Sequence, residues 1–109
     1  MVLSFDADGS LLTTASEQDL FVAQTSDLTY WCKVNLHNLV SGDAVRIKTY
    51  VNDSNATTPR IIYNDRVSFS HINGDPVYYI PPIPTDSFKV TIQRVAGSDR
   101  TITWRRGSY

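Results

Sequence analysis

The stretch that most constrains this chain is Leu28 to Asn52, where side chains alternate one by one through two runs separated by a turn. Leu28, Tyr30, Cys32, Val34 and Leu36 alternate with Thr29, Trp31, Lys33, Asn35 and His37. Successive side chains of an extended backbone project to opposite sides, so this period of two predicts a half-buried strand. Asn38 to Asp43 reads as a turn with Ser41-Gly42-Asp43 at its tip. The second run, Ala44 to Asn52, puts Val45, Ile47, Thr49 and Val51 on one face and Arg46, Lys48 and Tyr50 on the other. Two alternating runs about a short glycine-containing turn predict an antiparallel hairpin.

The rest of the chain repeats that grammar. Arg60 to Tyr63 and Arg66 to Ser70 read as a second hairpin-like pair about a turn at Asn64-Asp65, after a polar loop from Asp53 to Pro59. Asn73-Gly74-Asp75-Pro76 is a strong turn signal. Val77 to Ile80 is short and extended, and Pro81-Pro82-Ile83-Pro84 is expected to leave the sheet, since proline has no N–H to donate. Ser87 to Val95 reads as a strand with Phe88, Val90 and Ile92 inward. A turn at Ala96-Gly97-Ser98-Asp99 leads into a last strand, Arg100 to Arg106, with Ile102 and Trp104 on one face. In the first quarter, Gln18 to Gln24 is read as a strand, and Ser16 with Glu17 and Asp19 could cap one helical turn.

Composition agrees. Ten of the eleven acidic residues are Asp, and lysine is limited to Lys33, Lys48 and Lys89, so inexpensive helix formers are scarce. Thr, Val and Ile supply more than a quarter of the chain and aromatic residues twelve positions, the types that suit a pleated surface. No linker, repeat or low-complexity tract divides residues 1–109, so we expect one domain. The fold expected is all-β: a single antiparallel two-layer sandwich of seven or eight short strands, for which jelly-roll wiring is one arrangement. Strand order is not readable from the pattern.

Several functions are disfavoured by the same residues. A formal charge of −1 offers no field for nucleic acid or an anionic membrane. No run approaches the ~20 apolar residues of a membrane span. The start of the chain lacks the basic and apolar regions of a signal peptide, and Cys32, the lone cysteine, forms no intrachain disulfide. These features predict synthesis and folding in a reducing cytoplasm.

Candidate chemistry fails residue by residue. Cys32 and His37 are five positions apart on one expected strand and so point to opposite faces, with Cys32 read as a small core hydrophobe. Two histidines and one cysteine without paired spacing do not make a zinc site. Asp6-Ala-Asp8-Gly9-Ser10 with Glu17 resembles part of a calcium loop, but Leu11 stands where glycine is needed, and an ordinary Asp-Gly turn is expected. Aspartates concentrate at expected turns, with no acid pair, Ser-His-Asp order or phosphate-cradling loop among them. No catalytic, cofactor or metal residue is assigned, and an enzyme is not expected. Trp31, Tyr50, Tyr78 and Tyr79 are the candidate interface residues. Trp31, Tyr50 and one of the two adjacent tyrosines fall opposite the apolar stripes, where they could line a subunit interface or a sugar platform. For Trp31 the alternative is a small second core beneath the loop that follows Asn52.

Two segments carry a resemblance. Leu36-His-Asn-Leu39-Val-Ser-Gly42-Asp43-Ala-Val45-Arg-Ile47-Lys-Thr-Tyr50-Val51 is one. The other runs from Val77 to Trp104, where Ile80-Pro81-Pro82-Ile83-Pro84 precedes a strand, an Ala-Gly turn and a terminal strand. In these segments, whose span from residue 36 to 104 takes in about two-thirds of the chain, the sequence resembles small proteins of tailed-phage and related prokaryotic-virus genomes. The resemblance implies a virion component made in the host cytoplasm and brings no catalytic residues. Capsid decoration or head stabilisation is the expectation, with capsid subunits or its own copies as partners in a homo-oligomer. A tail or connector component, or a carbohydrate- or receptor-binding sandwich, is the alternative.

Overall fold

The computed structural model describes residues 4–52, 58–72 and 76–109. Eight strands run in order: β1 Ser4–Leu12, β2 Gln18–Asp19, β3 Leu28–Asn35, β4 Ala44–Asn52, β5 Arg60–Ser68, β6 Val77–Thr85, β7 Ser87–Ala96 and β8 Thr101–Ser108. A 3-10 turn at Phe69–Ile72 follows β5. The strands form two antiparallel four-stranded sheets, β1-β8-β3-β6 and β2-β7-β4-β5. Strands 1 and 8 pair, as do 2 and 7, 3 and 6, and 4 and 5, so the chain is one long hairpin rolled into two layers. That is jelly-roll wiring.

Of the inward residues expected of β3 and β4, all are buried except Leu28, which is 40 % exposed at the start of β3. Tyr30, Cys32, Val34, Val45, Ile47 and Val51 join Phe88, Val90, Ile92 and Ile102 in one core cluster. An aromatic group ties the layers together. Tyr30 of one sheet stacks on Phe88 of the other at 5.2 Å, and Phe21, in the segment after β2, packs on Phe88 at 5.9 Å and on Trp104 at 5.2 Å. Such ring pairs add about 0.5–1.5 kcal/mol each beyond area burial. The Trp104 indole lies over Gly9, where a Cβ would stand 2.8 Å from the ring, so glycine at this point of β1 lets the indole cross the strand.

Four local expectations differ from the structure. Asp6-Ala-Asp8-Gly9-Ser10 is not a turn but the middle of β1, held in register by β8. Asn64-Asp65 is not a turn either, because β5 runs unbroken from Arg60 to Ser68 along β4. The proline segment does not leave the sheet. β6 is an edge strand, where a missing donor costs little, and Pro81 with Pro82 forms a bulge opposite Trp31. The strand read over Gln18 to Gln24 shrinks to two residues plus a single bridge from Gln24 to Phe88. The turns expected at residues 38–43 and 96–99 are present, with Gly42 and Gly97 at φ 93° and 80°. The turn expected at Asn73-Gly74-Asp75 and most of the loop after Asn52 lie outside the described residues.

Candidate functional site

The four residues singled out from sequence occupy three different surfaces. Trp31 and Tyr79 lie on the outer face of the β1-β8-β3-β6 sheet. Trp31 is only 4 % exposed and stands outside the core cluster, beside Gly107 in the neighbouring strand. Lys33 sits between the two aromatics, its ammonium 6.0 Å from the Trp31 ring centre and 5.8 Å from that of Tyr79. Tyr50 lies on the outer face of the opposite sheet. Tyr78 faces inward at the open flank between the sheets, where its hydroxyl donates to the Asp65 carboxylate of β5.

Tyr50 belongs to a network rather than a bare platform. Its hydroxyl donates to Glu17 Oε2 at 2.6 Å, and Thr91 Oγ1 donates to the same oxygen at 2.6 Å. Lys48 lies 3.5 Å from Glu17, and Lys89 stands over the Tyr50 ring at 4.6 Å while reaching Asp19 at 3.7 Å. The hydrogen bonds from Thr91 and Tyr50 hold the Glu17 carboxyl below its ordinary range, and the same contact pushes Tyr50 up to about 12. A carboxylate stabilised in this way is a poor proton donor at neutral pH. Its evident work is to pin the segment before β2 onto the sheet.

The other perturbed groups are likewise tied into the scaffold. Burial pushes the Cys32 thiol up to about 12, against a smaller opposing effect from Arg106. A thiol that stays protonated is neither a nucleophile nor a metal ligand at neutral pH. His37 lies beyond the end of β3, exposed, with its backbone N–H on Asn35 Oδ1 at 3.0 Å. Among the described residues, no three His, Cys, Asp or Glu side chains converge on a common point.

No family model, curated protein or solved structure matches this chain at a significant level. Function therefore has to be argued from its own surfaces.

Two features stand out. The first is the sheet edges. β2 offers two residues, β1 is bulged at Asp6, and β6 carries Pro81, Pro82 and Pro84, three ways of blunting an edge against another chain. β5 is the exception. It has nine residues and no proline, and beyond one extra residue at Ile62 it runs regularly from Tyr63 to Ser68, with Ile61 45 % exposed. Among the described residues no strand pairs with its outer side.

The second is a hollow of about 490 Å³ in the outer face of the first sheet, lined by Asp8, Ser10, Lys33, Asn35, Thr103 and Arg105 among others. Patterning alone does not single this set out: Lys33 and Asn35 belong to the outward face expected of the first strand, and Asp8-Gly9-Ser10 reads as a turn. The usable signal was alternation. Asp8, Ser10 and Leu12 project outward between Ala7, Gly9 and Leu11.

Proposed function

We propose that this chain is a non-enzymatic structural protein of a prokaryotic virion, a capsid-decoration or head-stabilising component that acts by protein–protein assembly as a homo-oligomer. The observation that carries the reading is the open edge of β5. A long edge strand with unpaired N–H and C=O groups is a template for another strand, and folded proteins ordinarily protect such edges. Of the four edges β5 is the least protected: it carries one bulge, at Ile62, and the charged Arg60, Asp65 and Arg66, but no proline and a regular stretch from Tyr63 to Ser68. Antiparallel pairing of β5 with the β5 of a second copy makes an isologous contact that continues one sheet across both subunits. The resemblance of Leu36–Val51 and Val77–Trp104 to small phage proteins supports the viral setting, and jelly rolls are an architecture that viral shells use. A fold by itself assigns no function, so the weight rests on the edge.

Two experiments test the reading. Light scattering across a concentration series is expected to give a closed oligomer, and Asn64→Lys or Ile61→Lys, placing like charges across the two-fold, is expected to give a monomer. Mass spectrometry of purified virions is expected to find the chain in the particle. A strict monomer at high concentration, or absence from the particle, overturns the proposal. Immunogold labelling separates a head position from the rival tail or connector position.

A further inference from the structure

The hollow on the outer face of the β1-β8-β3-β6 sheet is built from two neighbouring rows of side chains set by strand register. Ser10, Thr103, Asn35 and Val77 form one row, and Asp8, Arg105, Lys33 and Tyr79 the other. Each row crosses all four strands, so the relative positions of these groups are fixed by backbone hydrogen bonding rather than by a loop. The volume of about 490 Å³ falls within the range of small-ligand sites.

The groups in the rows are chemically mixed, and Ser10, Thr103, Asn35, Asp8 and Lys33 keep hydrogen-bonding capacity. The hydroxyls of Ser10 and Thr103 make no hydrogen bond among the described residues. Asn35 Oδ1 already accepts the His37 N–H and lies 2.8 Å from His37 Nδ1, while its amide NH₂ makes no hydrogen bond among the described residues. Asp8 meets Arg105 only at 3.9 Å, beyond hydrogen-bond range, so its carboxylate keeps its acceptor capacity. The Lys33 ammonium has aromatic neighbours and no carboxylate against it among the described residues. Tyr79, paired with Lys33 in the second row, is 46 % exposed.

We propose that this hollow is a carbohydrate-binding site that takes a short oligosaccharide. Sugar hydroxyls both donate and accept, so they need a carboxylate, amide, hydroxyls and cations side by side, which is the set assembled here. The exposed Tyr79 ring offers an apolar face of the kind on which the C–H side of a pyranose stacks. Val77 and Tyr79 are the apolar side chains in these rows, and at 39 % and 46 % exposed neither forms the enclosed pocket that anchors a peptide side chain. The inference is independent of the assembly reading, because β5 belongs to the other sheet.

The test uses the full chain on an array of hexose, N-acetylhexosamine and uronic-acid oligosaccharides, followed by an NMR titration with those that bind. Binding is expected, with amide shifts confined to the neighbourhoods of Asp8–Ser10, Lys33–Asn35 and Thr103–Arg105. Asp8→Asn and Asn35→Ala are each expected to weaken binding by about tenfold or more, since each removes hydrogen bonds to the ligand. Thr103→Val removes one hydroxyl at constant shape and keeps the test usable if the Asp8 variant perturbs β1. Arg66→Gln, on the opposite sheet, is expected to bind as the parent does. Three results overturn the proposal: no oligosaccharide bound at millimolar concentration, shifts mapping to β5 or the opposite sheet, or full binding by all three groove variants. None of these bears on the oligomer measurement, so the two proposals fail separately.

Discussion

Arg100 Nε donates to Asp43 Oδ2 at 2.7 Å, and this contact joins the two turns that close the sandwich at one end. The same carboxylate accepts the Val40 N–H at 2.9 Å and the Ser98 N–H at 3.1 Å, so one side chain bonds within its own turn and across to the turn between β7 and β8. Arg100 is held in place through its backbone, whose N–H donates to Thr13 Oγ1 at 2.9 Å. Asp43 is 3 % exposed, which makes it the one buried carboxylate among the described residues. Removing it leaves two part-buried N–H groups and a guanidinium without their acceptor. Asp43→Ala is expected to cost about 2–4 kcal/mol, less than a fully buried pair because Arg100 keeps some solvent. Urea unfolding of Asp43→Ala, Arg100→Ala and the double variant checks this, and purely additive costs would contradict a direct coupling.

The acid limb of stability follows from the same group. Burial alone would raise the Asp43 pKa, but the bonds from Val40, Arg100 and Ser98 outweigh it and hold the carboxyl below its ordinary value. Glu17 is lowered as well, chiefly by Thr91 and Tyr50. When the folded pKa lies below the unfolded one, the unfolded chain binds more protons in between, so stability rises with pH there. The contribution is complete above the unfolded values of about 4 and is lost as pH falls through the folded ones. A urea midpoint that is flat near neutrality and drops below about pH 4 is expected, with a smaller drop in Asp43→Asn. An equal acid dependence in that variant would remove Asp43 from the explanation.

Gly97 and Gly42 both have positive φ, yet they should not tolerate alanine equally. At Gly42 nothing lies within 4 Å of where a Cβ would be. Gly42→Ala should therefore cost only the left-handed backbone penalty of about 1–2 kcal/mol. At Gly97 a Cβ would collide with the Asp43 carboxylate and backbone, so the turn has to move as well. Gly97→Ala is expected to lower the melting temperature clearly more than Gly42→Ala, and the reverse order would show that the two turns are not packed as described.

Cys32 should be chemically silent in the folded protein. It is fully buried, and that burial raises its thiol to about 12. Iodoacetamide at mildly alkaline pH is expected to leave the native chain unlabelled and to alkylate it once urea unfolds it, as read by intact mass. Labelling of the native chain at the rate of a free thiol would place Cys32 outside the core.

The tyrosines give an opposite limb at high pH. Tyr50 is raised to about 12, first by its bond to Glu17, and Tyr78 is raised further, first by burial and then by Asp65. Raised folded pKa values favour the protonated phenol, so this stability is present below the unfolded value of about 10 and is lost as pH rises through the folded ones. Ultraviolet titration should show late-ionising phenols, and Tyr50→Phe and Tyr78→Phe should each remove part of that late phase.

Legibility of the sequence tracked how local each feature is. The hairpin of β3 and β4 could be read directly, because its alternation and its glycine turn are contiguous. Asn64-Asp65 and Asp8-Gly9 misled for one reason. Turn-forming residues also occur on exposed edge strands, where a polar side chain meets solvent, and only the partner strand decides between the two. Pro81 to Pro84 misled similarly, since proline's missing donor matters in a central strand and hardly at an edge. Trp31, Tyr50, Tyr78 and Tyr79 read as one class in sequence, yet register sends them to three surfaces, with Trp31 and Tyr79 sharing one.

By itself the sequence determined that this chain is all-β, where most of its inward stripes lie, and that its cysteine sits in the core. Those follow from period-two patterning and residue preference, which act over a few neighbours. Tertiary structure decided that strand 1 lies beside strand 8 and strand 3 beside strand 6. It also decided that Asp43 reaches Arg100 across 57 positions, that β5 is left as the open edge, and that Asp8, Asn35 and Thr103 share one hollow. Rolling a long hairpin brings together residues from opposite ends of the chain. No local pattern encodes that, because the pairing is selected by burying both apolar faces at once.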